Sequence, residues 1–239
     1  MSSVILCLHG LGASQGSFGR LREVGLGPNR QIIAPDFAGF GQRSDDPVSD
    51  DPLMAAAHEI VGEIRQRDYQ DVVLIGHSMG GAVALLVADL IADRVSGVVS
   101  IEGNLIGEDC GLVSRRFASA ADAMACDVIK QELVAATSGS ANPSSRAWSA
   151  DLSKVSPETL MSYSRHLVDV SDSGVLLTSF KQGNYRKLYL HGDGYRGHVL
   201  LEKLRPVPTV YVAGASHNVM YDAPDACAEA IADVVLSVG

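Results

Sequence analysis

Six short apolar runs divide the chain, and each stops at glycine, proline or a charged or histidine residue. Val4-Ile5-Leu6-Cys7-Leu8 ends at His9-Gly10, and Gln31-Ile32-Ile33-Ala34 ends at Pro35-Asp36. Asp71-Val72-Val73-Leu74-Ile75 runs into Gly76, and Val98-Val99-Ser100-Ile101 into Glu102-Gly103. Lys187-Leu188-Tyr189-Leu190 and Thr209-Val210-Tyr211-Val212-Ala213 complete the set. With so little polar alternation, these read as strands of a parallel sheet buried on both faces. Helical spacing fills the intervals. Leu53–Arg67 carries Ala57, Ile60, Val61 and Ile64 on one stripe, and Gly80–Ala92 is apolar almost all round. Pro224–Leu236 places Cys227, Ala230, Ile231, Val234 and Val235 together, with proline at its start. Strands alternating with helices predict right-handed crossovers and an open α/β sheet.

Residues 103–182 break this rhythm, with no clear buried strand. Arg115–Ala136 predicts one helix, Ser138–Ser145 a loop, Pro157–Val170 a further helix and Ser171–Gly174 a turn. The expected organisation is a core of residues 1–102 and 183–239 with a helical insertion at 103–182 above the sheet.

Composition narrows the function classes. The 239 residues are 46% hydrophobic and 20% charged, enough for a sizeable core. Nineteen Lys and Arg against 28 Asp and Glu give a net charge of −9. An acidic chain without a basic cluster is a poor match for nucleic acid or for an anionic membrane. No stretch is long and apolar enough to predict a membrane span or a signal peptide, so a cytoplasmic location is the default expectation. Cys7, Cys110, Cys126 and Cys227 are far apart and read as reduced thiols.

The third strand leads into Gly76-His77-Ser78-Met79-Gly80, a G-x-S-x-G pattern that opens a predicted helix. In that context the pattern forms a nucleophile elbow, which lifts the serine hydroxyl above the sheet edge beside a helix N-terminus. A serine hydroxyl needs a base. Of seven histidines, His217 alone follows the last strand on a loop just before the final helix. The histidine in turn needs an anion. Two carboxylates stand at strand ends after Ser78: Glu102 closes the fourth strand, and Asp193 lies in the Gly192-Asp193-Gly194 turn after the fifth. An oxyanion hole would use the Met79 amide and one from the His9-Gly10-Leu11-Gly12 loop, with Leu11 the choice. Gly10-x-Gly12-x-x-x-Gly16 does not match a dinucleotide fingerprint, and no phosphate-binding P-loop occurs. His191, Asp193 and His198 lack metal-site spacing.

These motifs in this order resemble the α/β-hydrolase superfamily. The likeness rests on His9-Gly10-Leu11-Gly12, on Asp36 to Ser44 as the family's D-x-x-G-x-G-x-S loop with Ser44 one residue late, on Gly76 to Gly81, and on Gly214-Ala215-Ser216-His217 followed by Asp222-Ala223-Pro224. It covers residues 4–102 and 187–239, and the insertion falls where that family carries its cap. The resemblance implies an α/β-hydrolase fold with a short, mostly parallel sheet of about six strands. In the family the acid usually follows the penultimate strand as G-x-x-D; here that register holds Tyr195. A branch that includes haloalkane dehalogenases and some lactone hydrolases instead carries Glu after the elbow helix and its next strand, which tips the choice to Glu102. Dehalogenases use Asp as nucleophile, whereas Ser78 implies acyl chemistry.

The expected activity is a serine hydrolase that cleaves a small or medium carboxylic ester, thioester or lactone with Ser78, His217 and Glu102 as the triad and Leu11 and Met79 as oxyanion donors. No metal or organic cofactor is required. A C–C bond hydrolase acting on a diketone or dienoate is the alternative within the enzyme class, and a non-catalytic ligand receptor the alternative outside it. Phe18, Met79, Leu105 and Trp148 are expected to line the substrate pocket. The sequence leaves the oligomeric state open.

Overall fold

The computed structural model describes residues 3–26, 30–111 and 113–232. Six parallel strands form one sheet: β1 (Ser3–Leu8), β2 (Gln31–Ile33), β3 (Asp71–His77), β4 (Val95–Ile101), β5 (Arg186–His191) and β6 (Thr209–Tyr211), in the order β2-β1-β3-β4-β5-β6. The two central strands, β3 and β4, are buried along almost their whole length, and for that reason their sequences carry no alternation. The order reverses direction at β1 and β3, which makes the carboxyl ends of those strands the place where an open α/β sheet leaves a crevice.

One face of the sheet, with Ile5, Val73, Val99 and Leu190, packs against α1 (Gly19–Val24) and α11 (Pro224–Ile231). The opposite face, with Leu6, Leu74 and Val98, packs against α2 (Pro52–Gln66) and α3 (Met79–Leu90). Helix α3 buries Val83, Leu85 and Val87 completely, at about 1.5–3 kcal/mol for each side chain. The predicted stripe of Pro224–Leu236 is observed as far as Ile231; Val234 and Val235 lie outside the described residues. All four cysteines are free and buried, and burial pushes the Cys227 thiol up to about 12.

Among the described residues five α-helices run between β4 and β5: α4 (Ser114–Ala118), α5 (Ala123–Ser138), α6 (Pro143–Leu152), α7 (Pro157–Asp172) and α8 (Val175–Gln182). The single helix expected over Arg115–Ala136 is two helices. The break falls where Asp122 leaves helical geometry and its carboxylate accepts the Ala125 amide at 2.9 Å, an N-cap worth about 1 kcal/mol. The expected loop Ser138–Ser145 ends early because Asn142 caps α6 and Pro143 occupies its first turn. Phe117, Cys126, Leu152, Leu160 and Phe180 of these helices join the same buried cluster as α2 and α3, so the insertion has no separate core. The chain is completed by α9 (Val199–Lys203) and α10 (Val219–Asp222).

Candidate active site

Strands β3 and β4 are in register with His77 opposite Ile101, so the next residue of each, Ser78 and Glu102, emerges side by side at the sheet's carboxyl edge. Both have positive φ, 52° and 42°, which costs a non-glycine residue on the order of 1–3 kcal/mol and turns each side chain out of the strand direction. The glycines around Ser78 are steric requirements. A Cβ on Gly76 would sit 2.3 Å from the Gly80 carbonyl oxygen, and one on Gly80 would sit 2.0 Å from that of Leu8. Strand, turn and α3 therefore close against one another and against β1.

Glu102 is 2% exposed. Its Oε1 accepts the Gly192 amide at 2.8 Å, and its Oε2 lies 2.5 Å from His217 Nδ1. A carboxylate only accepts, so Nδ1 carries the proton and Nε2 is left as the acceptor on the half-exposed side of the ring. His77 holds this loop from below: its Nε2 donates to the His217 backbone carbonyl at 3.0 Å, and the two rings lie 4.6 Å apart. Burial, then the neighbouring His217, keep the His77 imidazole well below its usual titration range and therefore neutral. Asp193, the other carboxylate at a strand end, is exposed and turned elsewhere. It accepts from the Tyr211 hydroxyl and, at 3.4 Å, from the Gly214 amide.

The loop after β1 crosses directly over the serine. A Cβ on Gly10 would lie 3.0 Å from the Ser78 Cβ. Buried His9 pins the loop by donating from Nδ1 to the Gly10 carbonyl and accepting the Phe37 amide at Nε2. Asp36 accepts the Gln15 amide at 2.7 Å and the Gln42 amide at 2.9 Å, which joins this loop to the Gly39–Gly41 turn. Among the described residues the Leu11 and Met79 amides donate to no protein acceptor.

Helix α6 spans the site from above. At its carboxyl end Trp148 Nε1 donates to the Leu11 carbonyl at 2.9 Å, and Asp151 accepts the Ser14 hydroxyl at 2.6 Å. At its amino end Ser144 lies 3.4 Å from the Ser216 hydroxyl and Asn142 lies 3.4 Å from Asp222. Asp222 in turn accepts the Ser216 amide at 2.9 Å. Burial acts to raise its carboxyl, but hydrogen bonds from Ser216, Ser144 and Asn142 outweigh burial and hold it below the usual range.

Beneath α6 lies a cavity of about 360 Å³ lined by Gly10, Leu11, Ser78, Glu102, Asn104, Asp109, Val113, Trp148, Tyr195, His217 and Asn218, among others. Its described lining contains no lysine or arginine. Of the four pocket residues expected from the sequence, Trp148 is on the wall. Phe18, Met79 and Leu105 are fully buried in the packed clusters on the two sheet faces, because their helical or loop segments turn those side chains toward the core. Sequence reasoning missed Asn104, whose Oδ1 accepts a long 3.3 Å hydrogen bond from the Ser78 hydroxyl, and Asp109, which accepts the Tyr195 hydroxyl at 3.2 Å. The one signal was Tyr195 standing where the related motif carries Asp; nothing in the spacing marked Asn104.

A model of the alpha/beta hydrolase family matches residues 5–230, and the chain belongs to that family. Esterase YbfF of Escherichia coli (strain K12) is 32% identical over 101 residues, which are 42% of this chain and 39% of that protein. Monoglyceride lipase of Mus musculus is 31% identical over 103 residues, 41% of this chain and 34% of that protein. The matched stretch thus spans little more than a third of these curated relatives. Among solved structures, E-2-(acetamidomethylene)succinate hydrolase superposes with a TM-score of 0.74 at 22% identity and covers 99% of this chain and 92% of its own. A thermophilic esterase from Thermogutta terrifontis gives 0.72 at 19%, over 96% and 88%. At these identities the likeness is one of fold. Among the described residues no helix is long and apolar enough to cross a membrane.

Proposed function

We propose that the protein is a serine hydrolase that cleaves small or medium uncharged carboxylic esters, thioesters or lactones through an acyl-enzyme on Ser78, with residues 103–182 serving as its cap. The observation that carries this reading is the 2.5 Å contact between His217 and buried Glu102 on the strand end beside Ser78, at the wall of one cavity. In the mechanism, His217 Nε2 takes the Ser78 proton as Oγ bonds to the carbonyl carbon and the carbonyl electron pair moves onto oxygen. The Leu11 and Met79 amides donate to that oxyanion, and Glu102 stabilises the imidazolium through Nδ1. The imidazolium returns the proton to the departing alcohol, thiol or lactone oxygen. Water, deprotonated by the same nitrogen, then releases the acid. The esterase and lipase relatives agree with this chemistry over the part of the chain they share.

The lining also weighs on the alternative. A dienoate brings a carboxylate into the site, and a cavity with Glu102 and Asp109 but no lysine or arginine in its described wall offers it no counter-charge. The reading is tested with a panel of uncharged acyl esters and lactones on the wild type, Glu102→Ala and Asp193→Ala. Glu102→Ala is expected to lose kcat by about 10⁴-fold, as for other triad acids, while Asp193→Ala keeps wild-type turnover. An inactive Asp193→Ala beside an active Glu102→Ala would overturn the assignment.

A further inference from the structure

On that reading, we infer that Asn104 is a specificity-determining residue and that the preferred substrates carry a hydrogen-bond donor, a hydroxyl or an amide N–H, on the carbon next to the scissile carbonyl. The Asn104 side chain is buried, 3% exposed, and its orientation is fixed from behind. Its Nδ2 donates to the Asp109 backbone carbonyl at 3.0 Å and faces Cys110 Sγ at 3.5 Å, both acceptors, so the amide oxygen and not the nitrogen faces Ser78. The turn that carries these acceptors is itself locked, because Asp109 Oδ2 accepts the Leu105 and Ile106 amides at 2.8 and 2.9 Å. Oδ1 therefore cannot exchange places with the donor end without breaking both contacts.

In the free protein Oδ1 is satisfied by the Ser78 hydroxyl at 3.3 Å. To pass its proton to His217 Nε2 the hydroxyl turns away from Oδ1, and once Oγ has bonded to carbon the new acyl oxygen has no hydrogen to offer. A buried acceptor then loses its donor at the moment of reaction, and leaving such a group unpaired is costly. A substituent on the α carbon lies three bonds from Oγ in the acyl-enzyme, and on the side of Oγ that faces Asn104 it comes within hydrogen-bond reach of Oδ1, which stands 3.3 Å from Oγ. A hydroxyl or amide N–H at that place replaces the lost donor. An α hydrogen or an α ether leaves the oxygen unpaired or dependent on a trapped water. The site thus rewards α-hydroxy and α-amido acyl groups in the transition state, where the reward raises kcat.

The test uses the wild-type protein and three ethyl esters that differ only at the α carbon: 2-hydroxybutanoate, 2-methoxybutanoate and butanoate. Each kcat/KM is divided by the rate of alkaline hydrolysis of the same ester, which removes the inductive effect of the α oxygen. The expected result is a normalised preference of about tenfold for the hydroxy ester over both others, the size of one recovered hydrogen bond. In Asn104→Leu the preference should collapse to within about twofold, with the fold checked by thermal melting. Equal normalised rates for the three esters in the wild type would overturn this inference and leave the hydrolase reading standing. So would a preference that survives in Asn104→Leu. No turnover of these esters, together with none of the acyl ester and lactone panel, would overturn the hydrolase reading and this inference together.

Discussion

Two parts of the molecule hold the candidate site, and they hold it by different means. The sheet edge places Ser78 and Glu102 through backbone pairing: Ser78 donates its amide to the Ile101 carbonyl at 3.1 Å, and Glu102 donates its amide to that of Leu190 at 2.9 Å. Helix α6 places the Leu11 loop and the His217 loop through four side-chain hydrogen bonds, none of them part of regular structure. Backbone pairing fails all at once when a strand or turn cannot close. Side-chain bonds fail one at a time, each costing about 0.5–1.5 kcal/mol. The sheet edge should therefore be intolerant of substitution, and α6 should grade activity without threatening the fold.

The sharpest break of that contrast is Gly80→Ala. A methyl group 2.0 Å from the Leu8 carbonyl oxygen meets backbone, which has no rotamer to move to. We expect a loss of about 3 kcal/mol or more in urea unfolding, at the upper end of overpacking costs. A neutral Gly80→Ala would show that the elbow has slack. Next is Trp148→Phe, which keeps the ring and removes the donor to the Leu11 carbonyl. Turnover should fall about three- to tenfold in kcat with KM little changed and the melting temperature nearly constant, as expected for one lost hydrogen bond that aligns the proposed oxyanion donor. Parallel losses of stability and activity would make Trp148 a packing residue only.

The sheet-edge side also has a pH signature. His77 is buried and its imidazole titrates well below the usual range, chiefly through burial and then through His217; buried His9 is lowered too. The unfolded chain therefore binds more protons than the folded one once the pH falls below about 6.5. Stability present above that value is lost as the pH drops toward the folded-state titration. The urea midpoint should fall from pH 7 to pH 5, and by less in His77→Gln, with His9 accounting for part of the remainder. An equal fall in both proteins would remove His77 from the account. The smallest effect is expected from Ser144→Ala at the amino end of α6. Its contact with Ser216 is a long 3.4 Å and its 2.9 Å bond to Asn142 Oδ1 stays within one turn, so activity should change by less than about twofold and stability by about 0.5–1.5 kcal/mol, the worth of one hydrogen bond.

The same contrast explains what could be read from sequence. The six strands were legible as short apolar runs, but full burial holds only for β3, β4 and most of β1 and β5; the edge strands β2 and β6, with a sheet neighbour on one side only, are half-exposed, contrary to the expectation of strands buried on both faces. The adjacency of Ser78 and Glu102 follows from where two neighbouring runs stop, a local property. The inserted helices were less legible because their stripes are interrupted. Asn142-Pro143 is a helix start that the surrounding serines and glycine disguised as loop, and Asp122 splits what periodicity joined. Asn104 was invisible for another reason. An asparagine two residues past a strand has many uses, and this one is defined only by Asp109 and Cys110 behind it and by the serine brought up from a different strand. Trp148 was legible as a large residue near the pocket, but its bond to Leu11 joins positions 137 apart in the chain.

Ser78 as an activated nucleophile is the centre of the proposed chemistry. The direct measurement is labelling with a fluorophosphonate, followed by peptide mass spectrometry. One label per chain is expected, on Ser78, with loss of esterase activity in proportion to labelling and no incorporation in Ser78→Ala. A folded protein that hydrolyses esters while Ser78 stays unlabelled, or that takes the label equally in Ser78→Ala, would contradict it.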